Sequence, residues 1–282
     1  MTRSLLVMPD DGAKPILAAI HGAARTLLVK MFVFSDPALL HAVIAAKRRG
    51  VKVRVMLNAA RRSGEHDNDT TRRALERHGV AVRDANPEFD LTHEKSMVVD
   101  DRTAFIKSLN WASRNLTETR DYAVITTRRA EVAEIIQCFE ADWHRQAFDP
   151  PPSSHLVWCP GAGRDRICQF IDAARHKLVV QNERFQDMVI IERLVSAKRR
   201  GVNVKIMARA PHTLKREKLV EGVGGLRIMD DVGIKIHKLK HMKLHAKPSR
   251  PKWQPLYATR HAPVASWAKF ISEAYWNVEL EP

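Results

Sequence analysis

Two apolar patterns alternate along this chain. Around Leu39, Leu40, Val43 and Ile44, and again around Val189, Ile190, Leu194 and Val195, apolar residues return roughly every 3.6 positions, the spacing of a helix with one buried face. Before and after each of these lie short β-branched runs. They are Thr26 to Phe34 and Val51 to Leu57 around the first, and Leu178 to Val180 and Val202 to Met207 around the second. Each region therefore reads strand–helix–strand, which predicts an α/β fold.

The pattern is also written twice. Ala46-Lys47-Arg48-Arg49-Gly50-Val51-Lys52-Val53 recurs as Ala197-Lys198-Arg199-Arg200-Gly201-Val202-Asn203-Val204, an offset of 151. Basic residues followed by glycine make a helix C-terminus, because cations face the negative end of the helix and glycine accepts a left-handed backbone. The Lys-Arg-Arg run is thus expected to be a cap and not a phosphate clamp. Pro150-Pro151-Pro152-Ser153-Ser154 is the linker-like cluster between the copies, and the domain boundary is placed there.

Composition changes this picture modestly. With 282 residues and 45% hydrophobic content, the chain can bury a sizeable core. Its net charge of +15 favours anionic partners: nucleic acid, phospholipid headgroups or phosphorylated metabolites. Nine Lys or Arg residues lie between Asp231 and Glu273 without a carboxylate among them, so the surplus is concentrated near the C-terminus. Cys138, Cys159 and Cys168 are odd in number and lack C-x-x-C spacing, which predicts reduced thiols. No apolar run reaches the roughly 20 residues that span a bilayer, and Leu5-Leu6-Val7 is too short for a signal-peptide core. The expected location is cytoplasmic, with peripheral contact at the inner face of a membrane.

The candidate chemistry is carried by spacing. His93, Lys95 and Asp100 fit H-x-K-x4-D, with a strand-like Met97-Val98-Val99 inside the motif. Thirteen residues after Lys95 comes Ser108-Leu109-Asn110, and eleven past Asn110 lies Asp121, at the head of an apolar strand. This compound arrangement resembles the signature of the phospholipase D superfamily. One departure is that Lys107 stands where the resemblance expects the glycine of G-S-x-N; its charge is available to a phosphate. In the second half, His245 and Lys247 repeat H-x-K at an offset of 152, after which Lys252, Arg260 and Ala262 replace the expected Asp, Ser and Asn. Four prolines by Pro263 and the tryptophans Trp253, Trp267 and Trp276 follow, so the segment after Lys247 reads as divergent or out of frame.

A phosphodiester repels nucleophiles, so an enzyme working without metal must neutralise its oxygens and attack with a neutral group. A histidine whose other nitrogen is held by a carboxylate can form a covalent phosphohistidine, and lysine and asparagine donate to the phosphoryl oxygens as charge builds. A second histidine serves the leaving alkoxide as general acid and the incoming nucleophile as base. The resemblance implies His93 as nucleophile, Lys95 and Asn110 as phosphate binders, and Asp121 as the orienting carboxylate. It also implies His245 as general acid/base and Lys247 as the partner phosphate binder. Ser108 and Lys107 are candidate substrate contacts, while Asp100 completes the motif in a more structural role. No cofactor is expected. His237, His241 and His245 are four apart and would align as metal ligands on a helix, but Ile234, Ile236 and Leu244 argue for strands, so no metal is expected either.

The resemblance implies two tandem phospholipase D-like repeats, each a mixed β-sheet flanked by helices, packed with pseudo-two-fold symmetry. The expected bounds are 1–149 for the first repeat, 150–154 for the linker, 155–247 for an incomplete second repeat and 248–282 for a divergent or disordered tail. The implied function is a phosphodiesterase or phosphatidyltransferase acting on phospholipids, similar to cardiolipin-synthase relatives. A metal-independent nuclease and a catalytically impaired phosphate- or membrane-binding remnant are the alternatives.

Overall fold

The computed structural model describes residues 3–60, 64, 66–89, 92–159, 163–182, 185–209, 216–239 and 243–244. The chain divides into two compact units, Met1–Ser154 and His155–Pro282.

In the first unit, strands β1 (Arg3–Met8), β2 (Thr26–Met31), β3 (Lys52–Leu57), β4 (Ala81–Asp84), β5 (Ser96–Val99), β6 (Thr103–Lys107) and β7 (Thr119–Thr126) form one sheet in the order β1-β7-β6-β5-β2-β3-β4. Strands β2, β3 and β4 run parallel, which requires crossovers; helices α2 (Pro37–Arg48) and α3 (Asp69–Arg77) supply them. From β2 outward through β5, β6, β7 and β1 each neighbour is antiparallel. Strand β2 is thus the seam between the two halves, and both of its faces are buried, as its unbroken Leu-Leu-Val run requires.

One face of this sheet packs Leu27, Val29, Met31, Val55, Met97 and Phe105 against Ile16 and Ile20 of α1 (Lys14–His21) and Leu39 and Val43 of α2. Beyond a short helix α4 (Ser113–Thr117), helix α5 (Arg129–His144) packs on β5 and β6. Polar anchors from the sheet hold α5: Arg3 pairs with Glu131, Arg54 with Glu140, and Lys30 with Asp142. The β-branched run expected to continue to Phe34 leaves the sheet after Met31. The cause is Asn68, whose side chain accepts from the Phe34 N–H and donates to the Phe32 carbonyl, so the backbone there is satisfied outside the ladder. Met31, Met56, Trp111 and Trp143 are all buried.

The second unit contains α6 (Gly163–Asp172), β8 (Lys177–Asn182), α7 (Met188–Arg199), β9 (Asn203–Arg209), α8 (Arg216–Asp231) and β10 (Lys235–Leu239), with a parallel sheet ordered β10-β9-β8. Its core includes Ile171, Leu194, Val204, Ile206 and Met229.

The duplicated octapeptide does the same work in both units. Asp36 caps α2 by accepting from Leu39 N–H at 3.0 Å, and Asp187 caps α7 by accepting from Val189 N–H at 3.0 Å. Each helix ends at a glycine with positive φ, +92° at Gly50 and +90° at Gly201, as expected of a basic last turn followed by glycine. The last arginine of each run reaches back to the preceding helix: Arg49 donates to the carbonyls of Ile20 and His21, Arg200 to those of Ile171 and Asp172. These arginines add a side-chain donor to carbonyls at the end of the preceding helix.

Candidate active site

The candidate residues gather where three strand ends meet. Because β5 and β6 are antiparallel and β6 and β7 are antiparallel, the start of β5, the end of β6 and the start of β7 share one edge of the sheet. It is the edge where β2 ends, at the point where strand direction reverses, a place where open α/β sheets tend to bind ligands. His93 and Lys95 lead into β5, Lys107 closes β6, Ser108 and Asn110 follow it, and Asp121 lies near the start of β7.

His93 and Lys95 are in direct contact. The Lys95 ammonium lies 2.9 Å from His93 Nδ1 and donates to the His93 carbonyl at 2.6 Å. An ammonium has only donors, so Nδ1 is the acceptor here. Phe32 floors the pair, with its ring centroid 4.4 Å from that of His93 and 5.0 Å from Lys95 Nζ. The cation therefore sits over an aromatic face.

Glu94, between them, goes to the other side of the strand. It accepts from Lys30 at 2.8 Å and from Ser96 at 2.6 Å, and Lys30 also donates to Asp142 at 2.5 Å. Burial works against the charge on Lys30, whereas Cys138, Glu94 and Asp142 work for it, and the balance lies well above the ordinary lysine range. Burial also pushes the Cys138 thiol up, so that thiol is neutral at pH 7 and the two carboxylates hold the ammonium. Glu94, Cys138 and Asp142 are close enough together to hold a metal ion, yet Lys30 already supplies the cation at this cluster.

Asp121 is fully buried and accepts from Ser108 Oγ at 2.7 Å and Thr119 Oγ1 at 2.6 Å. Ser108 thus ties the turn after β6 to β7. Asn110 is buried, and its amide oxygen has no hydrogen-bond partner among the described residues; the same holds for Lys107 Nζ and Trp111 Nε1. Lys107 Nζ lies 4.9 Å from the Trp111 ring centroid. Burial pushes Lys107 down to about 7, and the Glu94 charge acts against that shift.

Asp100 stands apart from the other signature residues, at the opposite end of β5. Its carboxylate accepts from the backbone N–H groups of Ala24, Arg25 and Thr26, and its own φ is +52°. Burial tends to raise its pKa, but the donors of Thr26, Ala24 and Arg25 and the charge of Arg25 outweigh that and hold it below the usual carboxylate value. It pins the loop entering β2, which is a structural task. His237 lies on strand β10, in keeping with the flanking isoleucines, while His241, His245, Lys247 and the tail from 248 lie outside the described residues.

Sequence reasoning missed Phe32, Lys30, Asp142 and Thr119 as parts of this site. Lys30 left one signal, a charged residue within the apolar run Leu27-Leu28-Val29-Lys30-Met31.

Residues 16–143, all within the first unit, match the family described as "Cardiolipin synthase, PLD-like domain". Residues 16–143 are a phospholipase D-like domain. Among relatives, human mitochondrial cardiolipin hydrolase is 30% identical over 161 residues, covering 55% of this chain and 62% of the human protein. Cardiolipin synthase B of Salmonella typhi is 24% identical over 86% of this chain and 68% of its own length. This chain thus spans less than two thirds of the mitochondrial relatives it matches. The polyphosphate kinase of Porphyromonas gingivalis shares the fold: TM-score 0.60 at 19% identity, over 74% of this chain and 38% of that one. Among the described residues, no helix is long and apolar enough to cross a membrane.

Proposed function

We propose that this phospholipase D-like chain is a phosphodiesterase or phosphatidyltransferase acting on phospholipids through a phosphohistidine formed on His93. The observation that carries the reading is the contact of Lys95 with both the ring and the carbonyl of His93 at the sheet edge where Asp121, Ser108 and Asn110 also gather. The resemblance of the first unit to cardiolipin enzymes favours a lipid over other diesters.

The geometry suggests how the step begins. While Lys95 donates to Nδ1, a neutral imidazole carries its proton on Nε2 and has no free lone pair there. An entering phosphoryl oxygen draws the Lys95 ammonium to itself, Nδ1 becomes free to hold the proton, and Nε2 becomes the nucleophile. Lys95 and Asn110 then donate to oxygens that gain charge as the leaving alkoxide departs. Asp121, fixed by Ser108 and Thr119, is assigned to orient the histidine. His245, with Lys247 as a second phosphate binder, is assigned to protonate the alkoxide and later to activate water or an alcohol. Location at the inner face of a membrane and the two-repeat organisation belong to the same proposal; the equivalent caps, clamps and glycines at 151-residue spacing support the latter.

The test is turnover of cardiolipin vesicles and of plasmid DNA in parallel, with chelator present, by the natural chain and by His93→Asn. We expect lipid turnover that falls at least ~10³-fold in the variant, with acid-labile label trapped on the natural chain alone. Cleavage of DNA but not lipid would move the assignment to a nuclease. Turnover of neither, with salt-sensitive anion binding retained, would leave a binding protein.

A further inference from the structure

Lys107 is the residue that this site has and that its resemblance does not predict. It ends β6, and its N–H donates to the Lys95 carbonyl at 2.9 Å, which continues the register Ser96↔Ile106 by one step. Lys95 and Lys107 are therefore cross-strand neighbours, with side chains on the same face and Cβ atoms about 5 Å apart. Lys107 is only 6% exposed, and its Nζ has no hydrogen-bond partner among the described residues. Two more buried polar atoms nearby in the chain, Asn110 Oδ1 and Trp111 Nε1, also lack one.

A buried amine without a partner is costly whether charged or neutral, and more so when charged. The groups that bear on it do not relieve this. Glu94 is the carboxylate whose charge reaches Lys107, and it is already engaged by Lys30 and Ser96. Lys95 is bonded to His93, and Asp121 on β7 accepts from Ser108 and Thr119. Among the described residues, no negatively charged acceptor is bonded to the Lys107 amine.

We propose that Lys107 is a phosphoryl-oxygen ligand beside Lys95, giving this site a second cation that a glycine at this place could not provide. This rests on the reading of His93 and Lys95 as the phosphoryl pocket. Burial, opposed by the charge of Glu94, leaves the Lys107 amine largely neutral above pH 8 until an anion binds. Anion binding at higher pH then takes up a proton, and binding at lower pH does not.

The test uses inorganic sulfate, which keeps its charge across this range, titrated calorimetrically into the full chain at pH 8.5 in two buffers of different ionisation enthalpy. The natural chain is expected to take up close to one proton per sulfate, as a group moving from about 7 to its ordinary value requires. Lys107→Met should bind at least ~10-fold more weakly, with the uptake gone. Lys107→Arg, always charged, should restore affinity without uptake, a split that a purely structural role would not produce. Lys107→Gln serves as the second neutral variant should the methionine chain fold poorly. Native-like sulfate affinity in the neutral variants, or no binding or no proton uptake by the natural chain, overturns the proposal. If Lys95→Met alone weakens binding, the pocket stands and Lys107 is excluded from it. If neither lysine matters, the pocket reading fails as well.

Discussion

Two buried lysines on opposite faces of one sheet show how location and partners decide what a charge is for. Lys30 and Lys107 are 1% and 6% exposed. Lys30 meets Glu94 and Asp142 and is held charged; Lys107 meets the face of Trp111 and is pushed down to about 7. Burial acts against both ammonium groups, so the difference comes from the carboxylates. The first lysine belongs to the framework that fixes Glu94, and through it the His93–Lys95 segment. The amine of the second has no hydrogen-bond partner among the described residues, and under-satisfied buried groups tend to mark places where a ligand completes the structure.

The comparison is broken most severely at Lys30. Lys30→Met leaves the buried Glu94 and the half-buried Asp142 without their shared cation, and we expect a loss of about 3–5 kcal/mol in urea unfolding. A loss below about 1 kcal/mol would show that the network does not hold the fold.

Lys107→Met should shift stability the other way. Removing an unpartnered buried amine is expected to stabilise the chain by about 1–3 kcal/mol at pH 7. The sign with pH follows from linkage. The folded-state pKa lies below the unfolded value, so between about 7 and 10.5 the unfolded chain binds the extra proton and the natural protein gains stability as pH rises. The advantage of the methionine variant should therefore shrink steadily toward pH 10, by at most about 1.4 kcal/mol per pH unit. A pH-independent difference would mean that Lys107 is not the titrating group.

Glu94→Gln sharpens the contrast, because this carboxylate bears on both lysines. It should cost about 1–3 kcal/mol through Lys30, which keeps Asp142, and should lower Lys107 further. Proton uptake on sulfate binding at pH 7.5 should rise accordingly.

Much of this arrangement was legible before any coordinates. The 3.6-residue spacing and the glycines after Lys-Arg-Arg located both helices and their ends, because a left-handed backbone at Gly50 and Gly201 is a local requirement. The H-x-K spacing, with Ser108, Asn110 and Asp121, located one edge of one sheet, since strand alternation puts His93 and Lys95 on one face. The lysine contrast was hidden. Lys30 finds its partners 64 and 112 residues away, and a one-dimensional pattern does not encode which strand lies beneath which helix. Lys107 stands out in the sequence as a candidate phosphate contact, but its place over Trp111 and its register with Lys95 depend on strand pairing that the sequence does not show. Asp100, given a more structural role in the signature, accepts from three backbone N–H groups at the far end of β5.

The smallest expected effect tests which groups hold Lys30. Cys138 lies 3.8 Å from Lys30 Nζ and is buried beside Asp142, so its sulfur could be counted as a third anionic partner. Its thiol is pushed up by burial and is neutral at pH 7, which leaves it a weak dipole where the carboxylates are full charges. Cys138→Ala should then cost only the packing of one sulfur, about 1 kcal/mol, with the same loss at pH 6 and pH 9. A loss approaching that of Lys30→Met, or one that grows with pH, would mean that a thiolate shares the ammonium, and the framework on this face would be a three-anion site instead of a carboxylate pair.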